Sequence, residues 1–548
     1  MFDHQKNLDH IFSKLTTFWL ALESRQKLWM KVINTGLLLV VFVALNKILM
    51  GPLTGLNAPS YNQQHMIMVF INAVLSNPRL LVVILVAMVF ITLRWSSICS
   101  TWKNLGLPRA VRIYTVFIAA IMSWASASYD YNLYLDTYHH MDRILLLVAI
   151  PAIYWRPGFL LPYLCILCVY LGQYSLGIGG YSWAEFSMLI GLLSLSVAVL
   201  ILRACLQRDW SVEYLLIAVC FIASHYWIAG WGKYQLDWHQ VNEVYRLLSN
   251  TYANGWLGWL DQQEISAVIR WTIPLNTPIL IGTLILEWGV LLVLWRKASL
   301  QLFIVCWIVF HFSIFASSGI FFWKWISIEI ALLLLLQNLP QKLTLELFTP
   351  ARFALSTLLI ATSLYWSQAT KLAWLDMPMT YTYKFTAETE NGEHFNLPPA
   401  FFGPYDYQFT LGKFDYLSKH RNIRIAWGAT SNKRLLQLAN QARTPEDVLK
   451  FEKEHGALTY DQDRTKALAR FLRKFSDSYN RKGSKPGFYS LIKAPRQLWT
   501  YPGQSLMPSG SVIKNIQIDQ VLTFFDGHEY MEIISRPVYQ VSIGKLSG

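Results

Sequence analysis

Long runs of apolar residues, repeated along the first two thirds of the chain, restrict what this sequence can fold into. Several runs extend for about 17 residues or more with almost no charge, the length that a helix needs to cross a bilayer. The chain is 54% hydrophobic and only 15% charged, so it has too little polar surface for one soluble globule. We therefore predict a multi-pass helical membrane protein, since helices satisfy their own backbone hydrogen bonds in lipid.

The predicted fold is an α-helical polytopic membrane bundle of about nine to eleven spans, followed by an extracytoplasmic α+β domain rich in β-hairpins. The fourth and tenth apolar segments are short, at about 12 residues, and suit tilted, broken or re-entrant helices. The span cores are predicted at 32–49, 80–93, 111–127, 144–155, 159–176, 184–202, 214–232, 273–295, 300–320, 325–336 and 353–369.

Lysine and arginine are concentrated in alternate loops between these segments. They precede the first segment at Lys14, Arg25 and Lys27, and they recur in every second loop up to Lys342 and Arg352. The positive-inside rule makes those loops cytoplasmic, so the N-terminus is inside and the C-terminal domain outside. The predicted location is the inner membrane of a bacterium, or a eukaryotic endoplasmic reticulum membrane with this domain in the lumen.

Composition divides the chain into three parts. Residues 1–28 carry both signs of charge, with apolar residues at helical spacing, which is typical of an amphipathic helix on a membrane surface. Residues 29–372 are the membrane domain, and residues 373–548 have the composition of a soluble domain.

The soluble part shows alternating patterns around two turn signals. Tyr381, Tyr383 and Phe385 alternate with polar residues before Asn391 and Gly392, which predicts a hairpin. A second hairpin is predicted on both sides of Asp526 and Gly527. Two helices are expected between them: one begins after Thr444 and stops at Gly456, and the other covers 461–480.

The formal net charge of +14 lies largely in the cytoplasmic loops, where it attracts anionic lipid. We therefore expect membrane lipid and no nucleic acid as a partner. Cys165 and Cys168 form a CxxC pair inside an apolar segment with no histidine or second pair nearby, so packing explains them better than metal binding. No metal site is predicted.

Ionisable residues in or beside the spans are the candidate functional residues. Lys233 ends the seventh span among Trp231, Tyr234 and Trp238, although a lysine there also suits a snorkelling anchor. Glu287 and His311 lie near the middle of consecutive spans, where an unpaired charge costs roughly 2.5 kcal/mol or more. They suggest mutual pairing, a polar cavity or a structural hydrogen bond between helices.

The stretch "YWIAGWGKYQLDW" resembles the signature of vitamin K-dependent gamma-glutamyl carboxylases and their bacterial relatives with the HTTM domain. An apolar helix, Ala229 and Gly230, a lysine three residues on, and then Asp237 and Trp238 carry the resemblance. It implies that Lys233 is the catalytic base and His140, with His139 as the adjacent alternative, a second functional histidine. Gly232 departs from the animal enzymes, which carry a second lysine there.

The resemblance implies carboxylation of a glutamyl side chain, coupled to oxygenation of reduced vitamin K or another naphthoquinol, with O2 and CO2 as co-substrates. Lys233 must then be neutral, although the usual lysine pKa is about 10.4, and burial against an apolar wall would favour the neutral amine. His140 is expected to donate a hydrogen bond to an oxyanion. The expected quinol pocket and the polar groups behind it comprise His139, Trp231, Tyr234, Asp237 and Trp238, with Glu287 and His311.

Two other functions remain open from the sequence. The chain suits a quinone- or lipid-binding protein, or a quinol-oxidising protein, without carboxylase chemistry. A transporter with Glu287 and His311 in a midplane pathway is a weaker alternative, since the sequence shows no clear internal repeat. The expected partners in the carboxylase interpretation are a lipid-soluble quinone and a peptide that carries glutamate on the extracytoplasmic side.

Overall fold

The computed structural model describes residues 13–14, 16–17, 19–20, 27–50, 66–94, 102, 107–128, 140–172, 184–482, 492–496, 498, 507–508 and 510–543. Most of the predicted amphipathic segment 1–28 therefore lies outside the described residues, as does His139. The few described positions before residue 21 are helical. Trp19 there donates a hydrogen bond from Nε1 to Oδ1 of Asn34, at 2.9 Å.

Helices form the described chain from Lys27 to Trp366. The first eight are α1 (Lys27–Leu45), α2 (Met66–Ser76), α3 (Pro78–Leu93), α4 (Arg109–Ala127), α5 (His140–Trp155), α6 (Leu160–Gly172), α7 (Ala184–Cys205) and α8 (Ser211–Gln235). The next nine are α9 (Trp238–Val241), α10 (Arg246–Ala253), α11 (Gln262–Thr272), α12 (Asn276–Gly289), α13 (Lys297–Ser318), α14 (Trp323–Gln337), α15 (Gln341–Leu347), α16 (Pro350–Ala361) and α17 (Ser363–Trp366).

Within the described residues, six helices are long and apolar enough to cross a membrane, or up to eight if each of two bent pairs is one span. The six are Trp29–Ile48, Arg109–Ala127, Phe186–Cys205, Ser211–Gln235, Gln262–Leu292 and Lys297–Ser318. In the bent pairs, α2 meets α3 at 110° and α14 meets α15 at 113°.

This count covers the described residues only and is below the nine to eleven predicted spans. Three predicted segments are helices of 16, 13 and 12 residues, namely α5, α6 and α16. A straight crossing needs about 20 residues. The apolar helices are compatible with a multi-pass membrane protein.

Helix α8 is the centre of the bundle. Its most apolar 18-residue window is 94% buried, and it packs against α1, α7, α12 and α16. Its first turn is held by Glu213, which accepts a hydrogen bond from Arg352 at 2.8 Å and lies 3.5 Å from Arg208. The last turn of this central helix carries Lys233.

The segment between α8 and α12 contains three helices, α9, α10 and α11. A capping box of Asp261 and Glu264 starts α11, since the side chain of each residue accepts a hydrogen bond from the backbone N–H of the other. Helix α10 packs on strands β2 (Met379–Thr389) and β5 (Ile513–Phe525), and α11 packs on β6 (Tyr530–Ser542). These helices connect the membrane bundle to the sheet.

The C-terminal part is α+β, as predicted. Its antiparallel four-stranded sheet has the order β3-β2-β5-β6, with β3 at His394–Asn396, and a small second sheet pairs β1 (Leu375–Asp376) with β4 (Ala429–Thr430). Helices α18 (Asp406–Leu411), α19 (Lys433–Ala439), α20 (Pro445–His455) and α21 (Gln462–Lys482) complete it.

The local predictions for this part are confirmed. Strands β2 and β3 form the hairpin around Asn391 and Gly392, and Gly392 has a φ of 78°, which favours glycine. Strands β5 and β6 pair on both sides of the second turn. Thr444 caps α20 with a complete capping box.

Asp376 holds the first strand of the C-terminal part against the bundle. It is 2% exposed, and its Oδ2 accepts a hydrogen bond from Asn242 Nδ2 at 2.8 Å, while its backbone N donates to Asn242 Oδ1 at 2.6 Å. Trp374 Nε1 donates to the other carboxylate oxygen at 3.1 Å. Burial raises the pKa of Asp376 to about 6, against the opposing effect of these donors and of Arg246 and Lys233.

Asp376 should make the protein less stable as the pH rises from about 4 to 7. Its folded pKa lies above its usual value, so its contribution is fully present below pH 3.8 and is lost as the pH rises through about 6. The loss should approach about 3 kcal/mol. In detergent, the unfolding temperature of the natural chain should fall as the pH rises over this range, and that of Asp376→Asn should fall less. The control Glu390→Gln changes an exposed residue and should show the same fall as the natural chain. Equal slopes in all three proteins would contradict this assignment.

Candidate functional site

Gly230 sets the distance between the central helix and its neighbour α12. A Cβ atom at this position would lie 2.7 Å from Cδ1 of Trp288 and 2.9 Å from Cβ of Glu287. Only a glycine therefore permits this approach without a shift of one helix. Lys233 follows three residues later and shares a helix face with Gly230, so the close approach brings its side chain to Glu287.

Lys233 and Glu287 form a buried ion pair. Nζ of Lys233 donates to Oε1 of Glu287, and the two side chains are 12% and 2% exposed. Nζ also lies 5.5 Å from the centre of the Trp238 ring, within the range of a cation–π interaction. Most of the Lys233 side chain is therefore out of solvent, and its amine is paired with a carboxylate, which the sequence analysis did not predict.

Three buried polar atoms around Gly230 have no hydrogen-bond partner among the described residues. They are Oε2 of Glu287 and the indole Nε1 atoms of Trp227 and Trp288. The carboxylate oxygen accepts a hydrogen bond, and the two indole groups donate one each. Such groups are usually paired when buried, so all three are available to a bound molecule. Other buried indoles of the bundle, such as that of Trp307, also lack a partner among the described residues.

Aromatic rings extend from this pair toward the surface of the bundle. Trp227 stacks on Trp231 with ring centres 6.2 Å apart, and Tyr234 meets Trp288 edge to face at 5.2 Å. Trp231 and Tyr234 are 5.8 Å apart. Tyr234 is 47% exposed, so the cluster joins the buried pair to the surface of the protein.

Asp237 and Trp238 connect the site to the C-terminal domain. Asp237 has a φ of 50° and turns the chain out of α8, and its carboxylate pairs with Lys433 of α19. Trp238 is 5% exposed and belongs to the apolar core of the C-terminal domain. The domain therefore covers the end of α8 directly above Lys233.

The structure does not place His140 with these residues. It is the first residue of α5, it is exposed, and α5 packs on α4 and α6. The described partners of Lys233 are Glu287 and Trp238 only. A role of His140 at the lysine stays a prediction from the resemblance.

His311 belongs to a second buried cluster and does not pair with Glu287. Its Nδ1 lies 3.2 Å from Oε2 of Glu329, and the hydroxyl of Tyr226 donates to Oε1 of the same carboxylate. Tyr226 stacks on Trp307 with ring centres 4.5 Å apart. This is the helix-to-helix hydrogen bond considered as the structural alternative, with Glu329 as the partner that sequence analysis missed. The signal was an acid inside the apolar stretch "WKWISIEIALLLLLQ".

Comparison with known proteins identifies no relative. No family model, no curated protein and no solved structure matches the chain. Among the described residues, no group of three or more histidine, cysteine, aspartate or glutamate side chains is arranged to hold a metal ion. The candidate site therefore stands on its geometry.

Gly230→Ala should disrupt this site. The added methyl group overlaps Trp288 and Glu287, and overpacking of this kind costs about 1–3 kcal/mol. Gly282→Ala is the matched control on α12, since a Cβ atom there meets no atom within 4 Å and alanine favours a helix by about 0.5–1 kcal/mol. Thermal unfolding should rank Gly282→Ala at or above the natural chain and Gly230→Ala below it. A Gly230→Ala protein as stable as the control would show that the helices are not in close contact.

Proposed function

We propose that this protein is an integral membrane enzyme of the gamma-glutamyl carboxylase type, which couples oxygenation of a reduced naphthoquinone to carboxylation of glutamyl side chains. The observation that carries the proposal is the buried Lys233–Glu287 pair, with an unpartnered carboxylate oxygen beside an aromatic cluster that reaches the exposed surface of the bundle. Such a site suits a lipid-soluble molecule with a phenolic hydroxyl group.

The pair has the two groups that removal of a phenolic proton requires. Oε2 of Glu287 is free to accept the proton, and the ammonium of Lys233 lies next to it to stabilise the phenolate. Trp288 Nε1 supplies a further donor beside the same glycine. In this version of the mechanism the lysine acts together with its carboxylate and not as an isolated neutral amine. A reduced naphthoquinone, with O2 and CO2, would supply the stronger base and the new carboxyl group.

The surroundings favour two separate routes to this pair. The cluster of Trp227, Trp231, Tyr234 and Trp288 offers flat ring surfaces to a quinol that arrives from the bilayer. Trp238 and the Asp237–Lys433 pair belong to the C-terminal domain side, where an aqueous glutamyl peptide would approach. A dry environment also protects a reactive base from water.

Lys233→Ala and Glu287→Gln should each lower carboxylation by roughly 100-fold or more, because each removes a group that acts on the transferred proton. The assay uses the protein in lipid nanodiscs with reduced naphthoquinone, oxygen, labelled bicarbonate and a glutamyl peptide, and it measures alkali-stable label in the peptide. Lys371→Ala is the matched control, since this lysine is exposed. A folded Glu287→Gln protein with natural turnover would contradict the assignment of the base, and a folded Lys233→Ala protein with natural turnover would contradict the role of the ammonium.

Quinol oxidation without label would favour the second candidate, a quinone-binding or quinol-oxidising membrane protein. The same unpartnered polar atoms and aromatic rings support that function, because they bind a quinol whether or not carboxylation follows. In that case Lys233→Ala should reduce quinol oxidation, and no label should enter the peptide with either protein. Absence of both activities would contradict the catalytic proposal.

A further inference from the structure

The C-terminal domain contains a cavity of about 260 Å³ that the proposed function does not use. Its apolar wall is formed by the rings of Tyr381 and Tyr383 on β2 and by Ile423, Ile425 and Ala426. None of the residues of the Lys233 site lines this cavity. It is therefore a separate site, and the inference drawn from it does not rest on carboxylation.

The apolar wall is fixed before any ligand enters. The hydroxyl of Tyr381 donates to Oε1 of Glu452 at 2.6 Å, and the hydroxyl of Tyr383 accepts from Nε2 of Gln520 at 2.9 Å. Both tyrosines are less than a tenth exposed. Because the hydroxyl groups are already bonded, the rings offer flat surfaces, and a preformed cavity of this kind suits a small molecule.

Three cationic residues line the same cavity. Lys413 and Arg424 are exposed, and Arg464 is half-buried, with its guanidinium carbon 4.0 Å from the centre of the Tyr416 ring. Among the described residues, none of the three forms an ion pair with a carboxylate. Their positive charge is therefore available to an anion that enters the cavity.

A single acid lines the cavity with these cations. Asp415 has no ion-pair partner among the described residues, so its carboxylate can accept a hydrogen bond from a ligand. The cavity thus combines a positive charge for an anion, an acceptor for an N–H or O–H group, and an apolar wall. A small organic acid that also carries a donor matches all three features.

We propose that this cavity binds a small carboxylic acid with a hydrogen-bond donor. The carboxylate lies at Lys413, Arg424 and Arg464, the donor faces Asp415, and the carbon skeleton packs on Tyr381 and Tyr383. Two sources supply this chemistry, namely a free organic acid and an acidic side chain of a peptide, whose backbone N–H is the donor.

Isothermal titration of the full-length protein in detergent tests the proposal. The probes are free glutamate, N-acetylglutamate amide as the peptide form, N-acetylglutamine amide as its neutral counterpart, and inorganic phosphate. Lys413→Gln with Arg424→Gln should raise the Kd of the acidic probe roughly tenfold or more, since two charge-assisted contacts are lost. The control, Arg434→Gln with Arg470→Gln, removes the same charge from exposed positions of the domain that do not line the cavity.

A third variant narrows the cavity without a change in charge. Ala426→Leu extends the apolar wall inward, so it should weaken the acidic probes as well. Tighter binding of free glutamate would identify a free acid as the ligand, and tighter binding of the blocked amide would identify a peptide. Equal binding of the neutral probe, tighter binding of phosphate, absence of binding, or an equal loss in the control would each overturn the proposal.

Discussion

The close approach of α8 and α12 at Gly230 is the constraint on which the candidate site depends. Because no side chain separates the helices there, Glu287 reaches Lys233 inside the apolar bundle. A charged group inside an apolar bundle is costly unless it is paired, and the ion pair offsets the desolvation of both residues. One carboxylate oxygen is nevertheless left without a partner. This free oxygen is the feature on which the proposed binding of a quinol depends.

The C-terminal domain and the helical bundle are in direct contact beside Lys233. Helix α9 packs on α8 and α12, and α10 and α11 pack on the sheet before the chain continues as α12, which carries Glu287. Trp238 lies in the apolar core of that domain while its ring faces the ammonium of Lys233. Asn242 and Asp376 exchange two hydrogen bonds at the same boundary. The boundary between the domain and the bundle therefore lies beside the lysine.

The bundle separates its buried charges into two clusters with different characters. Around Glu329, both carboxylate oxygens have partners, His311 and Tyr226, and stacked rings surround them. This is the arrangement expected of a polar contact that fixes the position of helices. Around Glu287, the donors and acceptors are incompletely paired. Trp307, which stacks on Tyr226 in the Glu329 cluster, also has an indole Nε1 without a partner among the described residues, so the two clusters differ in the pairing of their carboxylate oxygens and not of every polar atom.

The sequence by itself determined the elements whose causes are local. The apolar runs gave the helices, the residues Asn391 and Gly392 gave a hairpin, and Thr444 gave the start of α20, because hydrophobicity, turn conformation and capping depend on neighbours in the chain. It also singled out Lys233, since a lysine among tryptophans at the end of a span is unusual. The tertiary structure alone decided which charges meet: Lys233 with Glu287, and His311 with Glu329. It also decided that α2 and α3 form a bent pair, whereas the short tenth segment, which bends into α15, was already predicted from the sequence. Pairing across helices depends on the rotation of each helix about its axis and on the distance between the helices. The order of residues along one helix determines neither of them.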